Sequence, residues 1–157
     1  MAGPGLETGY GRRMQELAAQ LCPPSSVHWP GMLTGDAKWG ALYQAEAFVL
    51  PSHQENFGIA VAEAMACGTP VLISNQINIW REIAQDNAGL VANDTAAGTV
   101  QLFRQWQNLS PKDRRRMKSA ARSCFNNRFR IFNTVKKLLT TMEELTKHSR
   151  PAEMTAK

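Results

Sequence analysis

The sequence predicts an α/β domain built on a short parallel sheet. Phe48, Val49 and Leu50 form an apolar run without alternation, closed by Pro51, as a strand covered on both faces would. Residues 70–73 form a second run of the same kind. Between them, residues 58–67 are small and apolar enough for a helix, and Gly68 fits its C-terminal stop. A crossover of that length requires the two strands to be parallel, so the stretch is a βαβ unit.

The other elements follow in chain order. Met1-Ala2-Gly3-Pro4-Gly5 has the composition of a turn, and residues 8–21 read as a helix with Met14, Leu17, Ala18 and Leu21 on one face. Pro23 and Pro24 end it. Residues 27–29 predict a brief strand, with the glycine-flanked loop Gly31-Met32-Leu33-Thr34-Gly35 at its carboxyl end. Asp36 is expected to cap a helix carrying Trp39, Leu42 and Tyr43, which leads into the strand at Phe48. Beyond the βαβ unit, residues 78–85 predict a short helix in which Arg81 pairs with Glu82, a contact to a ligand being the alternative. Leu90 and Val91 supply the last strand, closed by Asn93-Asp94. Three helices are then expected over 95–107, 111–126 and 130–147. The second has a clear start, with Ser110 as cap, Pro111 at the first position and Asp113 in the first turn. From Arg150 the polar tail is expected to fray.

Composition narrows the class. With 157 residues, 43% hydrophobic and 20% charged, the chain predicts one soluble globular domain with a core of ordinary size. No stretch has the length and apolarity of a membrane span, and the first twenty residues lack the apolar segment of a signal peptide. Cys22, Cys67 and Cys124 are odd in number and far apart, which fits reduced thiols in a cytoplasmic protein. His28, His53 and His148 are too dispersed for a metal site. The sequence contains no phosphate-binding Gly-x-x-x-x-Gly-Lys loop, no Gly-x-Ser-x-Gly elbow and no Asp-x-Asp.

The net charge of +5 conceals an asymmetry. Acids outnumber bases as far as Phe103. Beyond it, a run of bases that includes Arg114, Arg115, Arg116, Lys118, Arg122, Lys136 and Lys137 meets only Asp113, Glu143 and Glu144 before Pro151. A solvated helical face accounts for such a half. The alternative is an anionic partner, a membrane surface ahead of nucleic acid, which would seat the protein peripherally at the inner face of a membrane.

Glu63 is the informative residue. From Asn56 through Trp80 it is the only charged side chain, and it lies in a helix otherwise apolar all round, a kind that is normally buried. A buried, unpaired carboxylate is costly, so Glu63 is expected to need a partner that the neighbouring sequence does not supply. Helical geometry places it on the face of Asn56 and Ile59, leaning back toward the loop that carries Glu55. That loop sits at the carboxyl end of a parallel strand, where open α/β sheets bind ligands, and the free N–H groups around Phe57, Gly58 and Ile59 suit an anion. The alternatives are a Glu63 stabilised by water and by a helix dipole worth ~0.3–1 kcal/mol, and a Glu55 that is an ordinary solvated acid.

Glu55-Asn56-Phe57-Gly58 followed by Glu63-Ala64-Met65-Ala66-Cys67-Gly68-Thr69-Pro70-Val71 resembles the E-x7-E motif of retaining GT-B glycosyltransferases of family 4 type. The likeness, with the expected order of elements, runs from about residue 2 to about 132. It implies a partial Rossmann-like parallel sheet, the C-terminal half of a GT-B fold, followed by C-terminal helices. Residues 1–132 would then be a nucleotide-sugar-binding domain, 133–150 a C-terminal helix and 151–157 the frayed tail.

The resemblance also assigns roles. Glu63 would bind the ribose hydroxyls of a UDP- or GDP-linked sugar, and Glu55, the catalytic candidate, would lie beside the transferred sugar. A carboxylate accepts hydrogen bonds from a diol but repels a diphosphate, so the phosphates would sit on the amides of Phe57, Gly58 and Ile59, next to Asn56. Met32 and Leu33 would face the base. Neither a metal nor a cofactor is implied. The family's first donor-domain strand, and the Gly-Arg and Lys that clamp the diphosphate, have no counterpart here, so the resemblance implies a chain truncated at its N-terminal side. An acceptor domain or partner chain would complete it, and the chain alone is expected not to transfer sugar. The alternatives are a non-catalytic nucleotide-sugar-binding or subunit-partner module and, second, a basic nucleic-acid or anionic-membrane binder. The sugar, the base and the acceptor stay open.

Overall fold

The structure, a computed structural model, describes residues 1–131, 135, 139–142, 144 and 145. Two compact units divide the chain, Met1–Gln44 and Ala45–Lys157.

The first unit holds helices α1 (Gly9–Leu21) and α2 (Gly35–Gln44). Thr8 caps α1 by accepting a hydrogen bond from the Gly11 amide at 3.0 Å. The expected apolar face of α1 is only partly covered: Met14 and Ala18 are half-buried, Leu17 and Leu21 are exposed, and only Gly11 is buried. The strand expected over 27–29 does not form. Its apolar run is too short, and Pro30 beside it has no N–H to give a ladder. A single bridge joins Ala2 to Gly31 instead, with the Gly3 amide on the Gly31 carbonyl at 2.9 Å. Asp36 is not a cap but an acid inside the first turn of α2, which Gly35 begins at φ +51°.

The second unit carries the sheet. Strands β1 (Phe48–Leu50), β2 (Val71–Ser74) and β3 (Gly89–Ala92) lie in that order and all pair in parallel, with Val49 beside Leu72 and Leu72 beside Leu90. Only β2 is buried along its whole length. The edge strand β1 is half-buried, a departure from the two-sided cover its sequence suggested. One face of the sheet packs Leu72 and Ala92 against Leu102 and Trp106 of helix α5 (Ala96–Asn108), with Val49, Leu90, Leu109 and Met117 around them. The other face carries Val71 and Ile73, both fully buried, and meets helices α3 (Ile59–Ala66) and α4 (Trp80–Gln85).

Local chemistry explains the helix ends. Gly68 takes φ +78° after α3, its amide bonds the Met65 carbonyl at 2.9 Å, and the Thr69 amide bonds the Ala64 carbonyl at 3.0 Å, a Schellman motif. Thr95 caps α5 through the Gly98 amide at 3.0 Å. Ser110 caps α6 (Pro111–Cys124) through the Asp113 amide at 3.1 Å, as expected. Helix α4 begins at Trp80, two residues later than predicted, and Arg81 lies over the Trp80 ring at 4.7 Å instead of pairing with Glu82. The α-helix predicted to run to residue 126 stops at Cys124, and Phe125–Phe129 continues it as a π-helix. The helix expected over 133–150 and the tail at 151–157 fall largely outside the described residues. Val135, 139–142, Glu144 and Leu145 are helical. No helix among the described residues is long and apolar enough to cross a membrane.

Leu72 is fully buried at the centre of the α5 face, so Leu72→Ala is expected to cost about 2–5 kcal/mol in chemical denaturation. Leu21→Ala, at an exposed position, should cost less than about 0.5 kcal/mol. Equal costs at the two positions would contradict this placement of the core.

Candidate functional site

The loops at the carboxyl ends of the three strands are tied to one another. Ser74, the fully buried last residue of β2, donates its hydroxyl to the Ser52 carbonyl just after β1 and accepts from the Gln76 amide at 3.3 Å. Glu55 forms an isolated parallel bridge with Ile77, and the Asn78 amide bonds the Glu55 carbonyl at 3.4 Å. On the other side, Asn75 Nδ2 donates to Asn93 Oδ1 at 2.9 Å, and His53 Nδ1 meets Asp94 Oδ2 at 2.9 Å. His53 beside Asp94 lowers the carboxyl pKa of Asp94. Residues after β1, β2 and β3 therefore form one rim.

Helix α3 starts from this rim. Gly58, its N-cap, sits at φ +73°, ψ 56°, a left-handed conformation that costs a side-chain-bearing residue about 1–2 kcal/mol. A Cβ there would also stand 3.0 Å from Cγ2 of Ile77 and 3.3 Å from Cγ2 of Val61, so both space and dihedral call for glycine. The Gly58 carbonyl accepts from the amides of Val61 and Ala62 at 2.9 and 3.1 Å. Among the described residues, the amides of Phe57, Gly58 and Ile59 enter no backbone hydrogen bond, which leaves them, with the positive end of the helix dipole, for an anion.

The two glutamates flank this turn. Glu55 precedes it, half-buried, with its backbone pinned to Ile77. Glu63 lies four residues into α3, about 6 Å along the axis from Ile59. It is half-buried rather than sealed in, and this corrects the expectation from sequence. Val61, Ala62, Ala64 and Met65 take the buried face, while Ile59, 69% exposed, and Ala60 open the stripe that Glu63 shares. The apolar composition of α3 reflects small residues on a one-sided helix, not cover on all sides. Asn56 and Phe57 are exposed on the same loop, Phe57 by 46%. Glu55, Asn56, Phe57, Gly58, Ile59 and Glu63 thus gather at one turn of the second unit. Met32, exposed, and Leu33, half-buried, belong to the first unit.

A second polar cluster joins the end of α4 to the π-helix, and it was not legible in the sequence. Arg128, on the π-helix, grips Asp86 with two hydrogen bonds of 2.7 Å each and reaches Gln85 at 3.4 Å. This guanidinium lowers the Asp86 pKa below the ordinary aspartate value of 3.8. Burial and the adjacent Asp86 push the Cys124 thiol up to about 12. The neighbouring Phe129 meets Phe57 edge to face, with ring centroids 5.9 Å apart and an interplanar angle of 83°. The basic half is only partly free for a partner. Arg114 is committed to Glu46 at 3.1 Å, to the carbonyls of Trp106 and Gln107 and to the Trp106 ring, while Lys112, Arg115, Arg116, Lys118 and Arg122 of α6 are exposed.

The profile of the family described as Glycosyl transferases group 1 matches residues 1–124. Over 66 residues the chain is 42% identical to the O-antigen chain mannosyltransferase B of Escherichia coli, covering 41% of this chain and 17% of that protein. Over 90 residues it is 37% identical to an uncharacterized glycosyltransferase of Methanocaldococcus jannaschii, covering 57% and 22%. The chain therefore spans less than a quarter of the length of these curated relatives. A solved glycosyltransferase from Rickettsia africae superposes on 95% of this chain and 40% of its own with a TM-score of 0.73 at 21% identity. That likeness establishes the fold, an α/β architecture with a three-stranded parallel sheet of the GT-B kind.

Because the folded-state pKa of Asp86 is depressed, its ion pair adds stability that is present above pH 3.8 and lost as the pH falls through the lower folded value. Asp86→Asn should therefore lower the melting temperature at pH 7, and the gap from the natural chain should close on acidification below 3.8. A gap of the same size at pH 7 and pH 2.5 would show that the pair contributes nothing as an ion pair.

Proposed function

The chain belongs to the glycosyl transferases group 1 family, and from that membership we propose that it forms the nucleotide-sugar-binding part of a retaining glycosyltransferase of family 4 type. The observation that carries the proposal is the Gly58 turn. It leaves the amides of Phe57, Gly58 and Ile59 without backbone partners among the described residues, at the N-terminus of α3, between two glutamates in the sequence and after a parallel strand. A nucleoside diphosphate sugar has the matching order of groups, with hydroxyls on both sides of a diphosphate. In this reading the amides of Phe57, Gly58 and Ile59 carry the diphosphate, since backbone donors and the dipole favour negative charge where a carboxylate would repel it.

Glu63 then accepts the ribose diol, reached by a side chain that leans toward the helix N-terminus. Glu55 lies beside the transferred sugar, held in place because its backbone is bridged to Ile77 and cannot swing with the loop. Likeness to an O-antigen chain mannosyltransferase supports a hexose as the sugar, carried on UDP or GDP. The acceptor is held by the rest of a longer protein or by a partner chain, and turnover requires that second part because positioning of two substrates is worth up to roughly 7–11 kcal/mol.

Glu63→Gln keeps the shape and removes a charge-assisted acceptor, so binding of UDP or GDP should weaken by about 1.5–3 kcal/mol in calorimetry, with the melting temperature little changed. Unaltered affinity in a variant that still binds would remove the ribose role.

A further inference from the structure

We propose that Phe129 is a positioning residue for the Gly58 turn, held to that task by the clamp of Arg128 on Asp86. The inference rests on the donor-site reading above for its consequence, but not for its geometry. An aspartate at the end of α4 is badly placed by itself, because the helix C-terminus carries partial negative charge. Here its carboxylate accepts from Nε and Nη2 of Arg128 at 2.7 Å each, so two separate pieces of chain, the end of α4 and the π-helix, meet at one half-buried anion. A bidentate guanidinium pair fixes orientation as well as distance.

That fixation explains why the helix widens after Cys124. The Arg130 amide closes an i to i+5 bond onto the Phe125 carbonyl at 3.0 Å, and in this wider turn Arg128 bonds Asp86 while Phe129, next in sequence, meets Phe57. Such π-turns recur where a side chain must be aimed. The Phe129 ring then stands perpendicular to Phe57, the residue whose amide opens the anion-binding series, in the arrangement that aromatic quadrupoles favour. Phe57 is otherwise exposed, and the preceding residue Asn56 is exposed as well, so Phe129 is what limits the freedom of this part of the turn.

Amide hydrogen exchange on the isotopically labelled chain without ligand, together with calorimetry against UDP and GDP, tests the idea. Phe129→Leu should speed exchange at Val61, Ala62 and Asn78, whose amides are bonded to the Gly58 and Glu55 carbonyls of the turn, relative to the amides of β2, and weaken nucleoside diphosphate binding roughly two- to tenfold. Phe129→Tyr, which keeps the ring contact, should restore both, and Asp86→Asn, which frees Arg128 without touching either ring, should reproduce the local change. Exchange at the turn equal to that of the natural chain in Phe129→Leu, or acceleration spread evenly over the sheet and α3, would overturn the positioning role. If the natural chain binds neither nucleotide, the donor-site reading falls while the exchange data still decide the role of Phe129.

Discussion

Ser74 closes the one strand that is buried along its whole length, and the hydroxyl it gives to Ser52 holds the loop after β1 over the end of the sheet. Everything at the candidate site depends on that tie. A parallel sheet presents all its carboxyl ends on one side, but the loops leaving them diverge unless something fastens them. Here a buried hydroxyl, the Glu55–Ile77 bridge, the Asn75–Asn93 amide pair and the His53–Asp94 pair do the fastening. Ile77, fully buried beneath the Gly58 turn, is the apolar floor on which the bridge rests. The polar rim is thus built on the core itself.

Much of this architecture was legible in the residues. The run Val71, Leu72, Ile73 is apolar without alternation because β2 has neighbours on both sides and helices on both faces, and the strand is where that pattern put it. Gly68 and Ser110 end and begin helices through backbone chemistry that acts within a few residues, which is why single-sequence reasoning finds such positions. The turn from Glu55 to Ile59 was legible for the same reason, since a glycine between two acids at helical spacing is a local signal. Edges were read less well. Residues 27–29 have the side chains of a strand but lack a ladder partner, and pairing is not a local property.

What the sequence concealed are the contacts between distant residues. Arg128 and Asp86 are 42 positions apart, and nothing near either one marks the other. The π-turn that aims Phe129 has no periodicity to reveal it, because one inserted residue leaves the surrounding pattern intact. Glu63 was misjudged in a different way. In an eight-residue helix made mostly of alanine and valine, composition says apolar, but four buried positions are enough to seat the helix, and the remaining stripe faces outward. Glu63 is half-buried, so part of its side chain is open to solvent, and the correction concerns its burial alone.

The central claim is that a diphosphate rests on the start of α3 between Glu55 and Glu63. Titration of the isotopically labelled chain with UDP and with GDP, followed amide by amide, tests it most directly. The account predicts that the shifts concentrate at Phe57, Gly58, Ile59 and Glu63 and saturate with a single affinity for at least one of the two nucleotides. Shifts confined to the exposed bases of α6, with the Gly58 turn silent, would contradict it.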